Sequence, residues 1–269
     1  DQTLGKILEK KLSDGLPHKK FEVISIGLGD TGTAQQYLAL KYYGLKYNPD
    51  LVVHLFLSAN DLKNNSLALQ KDPYRPYLKL EGEKLILIPP QNKEEKIFKN
   101  LLRKLRITGF ILTIRQMYLE KRIDPSLDYP IDYYVYNKIY TREYLSSWEI
   151  TKAIIKNVKK TAELNRSRYL LVASANNEQV NTNVWDGLQK KYPKLKYQTS
   201  LEKPDQLIKK FCNIEALDCT YMLPEFKKFT KANPKVTTHY KFDGHWNNTG
   251  TNIAAQFLAN YILKIVRNN

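Results

Sequence analysis

Cysteine, histidine and acidic residues are all scarce in this chain of 269 residues. Two cysteines, Cys212 and Cys219, exclude a disulfide-dense scaffold and any four-cysteine zinc site. They fall on an expected helix and the strand after it; pairing is left open, and two buried thiols are the plainer account. No apolar run reaches about 18 residues, which excludes a transmembrane helix within the chain. Asp and Glu number 27 against 43 Lys and Arg, a net charge of +16. Thirty-four of those basic residues are scattered lysines, the pattern of a solvated surface and not of a nucleic-acid stripe. The densest basic stretch, Lys99 to Arg106, carries Phe98, Leu101, Leu102 and Leu105 at helical spacing. It leaves contact with an anionic membrane surface open. The chain opens on Asp1-Gln2-Thr3 without methionine or secretory leader; this start is read as truncated or processed, so it does not fix the compartment.

What is present is 42% hydrophobic residues in an alternating α/β pattern. A helix over 3–13, a strand over Phe21–Ile26, a helix over Thr33–Tyr43 and an apolar strand over Leu51–Leu57 open the chain. Residues 62–147 break the rhythm. They hold an expected hairpin over Tyr77–Ile88, a helix over Lys93–Glu120, a Pro- and Tyr-rich loop over Asp124–Tyr144, and 9 of the 19 tyrosines. The segment reads as an insertion over one end of the sheet. The alternation resumes with a helix over Trp148–Leu164, a strand over Tyr169–Ala173, a helix after Pro204 and a strand over Ile214–Cys219. The last helix carries Ala254, Phe257, Leu258, Tyr261, Ile262 and Ile265 as one apolar stripe.

Gly27, Gly29 and Gly32 satisfy G-x-G-x-x-G between an expected strand and helix. A dinucleotide site would add an acidic residue at the end of the next strand, but Asp50 begins that strand and Asp61 comes late. The glycines also suit a plain tight turn, or a turn whose backbone N–H groups face an oxyanion. Asn60 follows the most hydrophobic strand, where ligands bind in open α/β sheets, and its amide can donate to the same oxyanion. Alone it reads equally as a capping asparagine. Near the C-terminus Asp243 precedes His245 by two residues, as an orienting carboxylate precedes a general base. Of the four histidines, His54 reads as a core residue, His18 sits in a basic loop, and His239 is the competitor to His245.

The segments "VISIGLGDTGTAQQYLAL", "PDLVVHLFLSANDL" and "FDGHWNNTGTNIAAQFLANYI" together resemble the SGNH (GDSL-type) hydrolase family over nearly the whole chain. The resemblance implies a flavodoxin-like three-layer α/β/α fold with a mostly parallel sheet, residues 1–269 as one domain, and 62–147 as an inserted lid. It implies ester hydrolysis by a Ser-His-Asp triad. His245 then resembles the base and Asp243 its partner, while Asn60 and the backbone at Gly29 and Asp30 resemble the oxyanion donors. No metal or organic cofactor is implied. The substrate class is a small-molecule or carbohydrate acyl ester, and an extracytoplasmic or anchored location is favoured.

Two departures stand out. No G-D-S motif occurs in the sequence, so the nucleophile and first strand are expected upstream of Asp1. The glycine turn places Asp30 where many relatives have glycine. Acyl transfer on the same site, an inactive SGNH-like binding module and a Rossmann-type nucleotide binder stay open as alternatives.

Overall fold

The computed structural model describes residues 3–27, 29–91, 127–241 and 244–267. Leu28, Phe242 and Asp243 lie outside the described residues, as do the helix expected over Lys93–Glu120 and its basic stretch Lys99–Arg106. The structure is mixed α/β, built on a parallel sheet in the order β1 (Leu51–Phe56), β4 (Arg168–Ala173), β5 (Cys219–Tyr221). The β1–β4 register runs from Leu51 opposite Arg168 to Phe56 opposite Ala173. A separate antiparallel hairpin pairs β2 (Tyr77–Glu81) with β3 (Lys84–Ile88), as the sequence predicts.

Alternation along β4 divides the core. Leu170 and Val172 join Leu8 and Leu12 of α1 (Leu4–Gly15), Phe226 of a helix over Leu223–Ala232, and Leu258 and Ile262 of a helix over Asn248–Arg267. Tyr169, Leu171 and Ala173 join Ile154 and Ile155 of a helix over Arg142–Leu164, and Ile208 and Phe211 of a helix over Lys203–Ile214. Tyr129, Tyr133, Tyr134, Tyr136, Tyr140 and Tyr144 of the inserted region belong to this second cluster. Tyr129, Tyr136 and Tyr144 are fully buried, with Tyr136 edge-on to Trp185, so these three build core.

Three elements differ from the sequence reading. The helix expected from Trp148 starts at Arg142, because the Thr141 hydroxyl caps it by accepting from the Tyr144 N–H at 3.4 Å. The strand expected over Ile214–Cys219 begins only at Cys219. The preceding helix continues to Ile214, and left-handed Ala216 (φ 47°) then turns the chain into the sheet. Phe21–Ile26 forms no strand, since none of the described strands pairs with it. The Val23 N–H donates instead to the Glu9 carboxylate at 2.8 Å, which holds that carboxyl below its ordinary range. Phe21 and Val23 still face the α1 cluster, while Ile24 and Ile26 are each 43% exposed.

Cys212 and Cys219 form a disulfide joining the end of the Lys203–Ile214 helix to β5, so the two-thiol account is corrected. The residues are seven apart, and closing so short a loop restricts the unfolded chain by about 2–3 kcal/mol. Replacing both cysteines by alanine is expected to lower unfolding free energy by that amount in urea titrations.

Candidate active site

Asn60 is placed by the end of β1. The strand stops at Phe56 and α3 (Ser58–Asn64) starts at once, so Asn60 sits in its first turn with its N–H donating to Leu57 O at 3.0 Å. The turn is locked from behind: the Leu57 N–H donates to Asp61 Oδ2 at 2.8 Å, and Asp61 is buried. Asn60 itself is half-buried, and no described residue bonds its side-chain amide.

The glycine turn is held against the next turn of α3. Gly29 and Asp30 are exposed, and it is Asp30, not a glycine, that takes the left-handed conformation (φ 55°). Arg75 fixes it: Nη1 donates to Asp30 O at 2.8 Å and Nη2 to Asp30 Oδ2 at 2.6 Å. Nε reaches Asp72 at 3.3 Å. Burial works against the Arg75 charge, but the bonds and charge of Asp30 and then Asp72 outweigh it and raise its pKa. Asn64 Nδ2 donates to Thr31 O at 3.1 Å. Asn60 and Asn64 are four apart on one helical face, so the turn and the Asn60 amide share a side of α3.

Gly32 serves packing. A Cβ there would come within 2.8 Å of Asn64 and Asn65 side-chain atoms. The Gly32 and Ala34 N–H groups at the start of α2 (Thr33–Tyr42) donate to Gln35 Oε1 (2.8 Å) and Asn65 Oδ1 (2.9 Å). Two of the donors that a pyrophosphate would use at this terminus are thus engaged within the protein.

The C-terminal loop separates the two competing histidines. An antiparallel bridge pairs His239 with Trp246, and the Tyr240 N–H donates to His245 O at 2.8 Å. Gly250 lets the following helix close on this loop, since a Cβ would meet Thr238 O at 2.2 Å. His239 is buried, with its ring 5.8 Å from Phe226. Its Nδ1 lies 2.9 Å from Thr238 Oγ1, and burial lowers its pKa to about 4. His245 is exposed, so it is the one a substrate can reach. Its expected partner Asp243 lies outside the described residues.

This loop reaches the same sheet edge as Asn60. A Cβ on Gly244 would come 4.0 Å from Asn177 Nδ2, and the neighbouring Asn176 donates to Ser58 Oγ at 3.0 Å, two residues before Asn60. The Ser174 N–H ties the two strand ends together by donating to Phe56 O at 2.8 Å. The surface beside them, lined by Phe56, Ser58, Ala173, Ser174, Asp205 and Ile208 among others, is a shallow depression without room for a water molecule. The Gly29–Asp30 turn is thus tied through Asn64 to the helix that carries Asn60, and His245 is exposed on the C-terminal loop that passes Asn177. Sequence reasoning missed Arg75, Asn64 and Asn176, which fix them through contacts that no local spacing announces. Among the described residues, no group of three or more His, Cys, Asp or Glu side chains is placed to hold a metal ion. No protein-family model, curated protein or solved structure matches the chain.

Proposed function

We propose that the chain carries most of a serine esterase of SGNH type, acting on carbohydrate or other acyl esters, with a flavodoxin-like three-layer fold. The observation that carries this reading is an Asn60 amide that no described residue engages, on a helix tied by Asn64 to a glycine turn that Arg75 pins, together with an exposed His245 on the C-terminal loop. A serine preceding Asp1 in the natural polypeptide attacks the acyl carbonyl. His245 takes its proton and returns it to the leaving alkoxide, and Asp243 orients the imidazole. Asn60 Nδ2 and a backbone N–H of the Gly29–Asp30 turn hold the tetrahedral oxyanion.

The sheet supports a further strand that bears this serine. In the described residues β1 is paired on one edge only, and Leu51, Val53 and Leu55 are incompletely buried. Phe21 and Val23 line the same apolar cluster without a ladder of their own. A strand inserted between Phe21–Ile26 and β1 completes both, since each free edge needs backbone partners. The disulfide suits the oxidising, extracytoplasmic setting proposed here.

Asn60→Ala tests the donor. In the natural full-length polypeptide kcat/KM on p-nitrophenyl acetate is expected to fall about 10²–10³-fold, with an unchanged circular dichroism spectrum. An unchanged kcat/KM removes Asn60 from the oxyanion site.

A further inference from the structure

Beneath Asn60 runs a buried polar chain that ester hydrolysis does not itself require. Tyr169 on β4 places its hydroxyl 2.8 Å from His54 Nδ1, and His54 Nε2 lies 2.8 Å from Gln36 Oε1 on α2. Gln36 Nε2 donates to Asp61 Oδ1 at 3.4 Å, and the other Asp61 oxygen accepts the Leu57 N–H at 2.8 Å. The amide oxygen of Gln36 can only accept, so His54 carries its proton on Nε2 and Nδ1 accepts from Tyr169. The bonds from Tyr169 through His54 and Gln36 then all point toward Asp61, which also accepts the Leu57 N–H from the other side. Tyr169, His54 and Asp61 are all at most 5% exposed. Burial holds His54 neutral by lowering its pKa to about 4.

A buried histidine satisfied at both nitrogens could be explained as core structure alone. What argues further is where this polar chain ends: on the Asp61 carboxyl group that fixes Leu57, the residue opening the turn that presents Asn60. We propose that Gln36, with His54 and Tyr169 behind it, is a positioning residue that holds the Leu57–Asn60 turn in its donor geometry. The proposal rests on the esterase reading for its catalytic consequence but not for its structural one. Without the Gln36 amide, buried Asp61 loses a donor, and its carboxyl turns away from Leu57. A shift of the donor of less than 1 Å is enough to slow the chemical step without loosening substrate binding.

The test uses the natural full-length polypeptide and three variants. Gln36→Met keeps the side-chain length but removes both polar atoms, Tyr169→Phe removes only the distant hydroxyl, and Ile155→Val trims the core outside the chain. With p-nitrophenyl acetate, Gln36→Met is expected to lower kcat about 10- to 100-fold with KM held within about twofold. Tyr169→Phe is expected to have a smaller effect of the same kind. Ile155→Val lowers Tm but leaves kcat unchanged. In NMR hydrogen exchange, the Leu57 amide is expected to exchange about tenfold faster or more in Gln36→Met, because it loses its fixed acceptor. Unchanged kcat in Gln36→Met, or a fall matched by Ile155→Val at equal loss of Tm, overturns the positioning role. If the unsubstituted protein hydrolyses no ester, the esterase reading fails separately. The chain is then judged on Leu57 exchange and the Asn60 side-chain amide resonances: a change in both supports it, and no change overturns it.

Discussion

His245→Ala in the natural full-length polypeptide is expected to reduce ester hydrolysis about 10⁴-fold or more while leaving the fold intact. The two parts of that expectation have separate causes. Loss of rate follows because no other described histidine is available as base at this edge: His239 is turned into the core beside Phe226, and His54 is committed to Gln36 and Tyr169. Retention of the fold follows because the loop is held by backbone pairing and apolar contact. Trp246 stacks on Phe226 at 5.4 Å, and the His245 carbonyl, not its ring, accepts from Tyr240. Substitution of His239 should do the reverse, costing stability with less effect on chemistry. Steady-state rates and thermal melts of the two variants, compared directly, read this crossover. Equal loss of activity in both, at equal Tm, contradicts the assignment.

The second large effect is an opposition between buried groups across the pH range. His54 and His239 each titrate near 4 when folded and near 6.5 when exposed, because burial disfavours their charged forms. Each contributes stability that is complete above pH 6.5 and is lost as pH falls toward 4, roughly 3 kcal/mol apiece. Asp61 has the opposite sign. Burial raises its pKa from 3.8 to about 8 against the bond from Leu57, so its contribution is complete below 3.8 and is lost as pH rises through 8. The protein is therefore expected to lose less stability on acidification than its histidines alone dictate. Asp61→Asn removes the compensating slope. Relative to the unsubstituted protein, the variant should gain several kcal/mol at pH 8 and lose that advantage at pH 4. Urea titrations at pH 4, 6 and 8 measure it, and a difference that does not change with pH contradicts the assignment.

The parts of the fold that the sequence made legible are those fixed by local periodicity. The apolar run of β1 and the stripe of the Asn248–Arg267 helix each announce their burial within one element. Asn60 was placed at the sheet edge by the same logic, since a buried parallel strand must end where its ligand-facing loop begins. Phe21–Ile26 has the composition of a strand but forms none among the described residues, because a strand exists only through a partner's hydrogen bonds. Whether Cys212 and Cys219 pair could not be read from their spacing, because it is left-handed Ala216 that reverses the chain between them and brings the two sulfurs together. Arg75, 45 residues from Asp30, carries no periodic mark at all. Nor did the pairing of Gln36 with His54 and Asp61, for such contacts are written in tertiary packing and not in spacing.

Fluorophosphonate labelling of the natural full-length polypeptide, with the adduct located by peptide mass mapping, tests the central claim most directly. One adduct is predicted, on a serine in a peptide preceding Asp1, and its formation should slow markedly in His245→Ala. No adduct, or one on a serine within residues 1–269, would contradict the nucleophile placement on which the esterase reading stands.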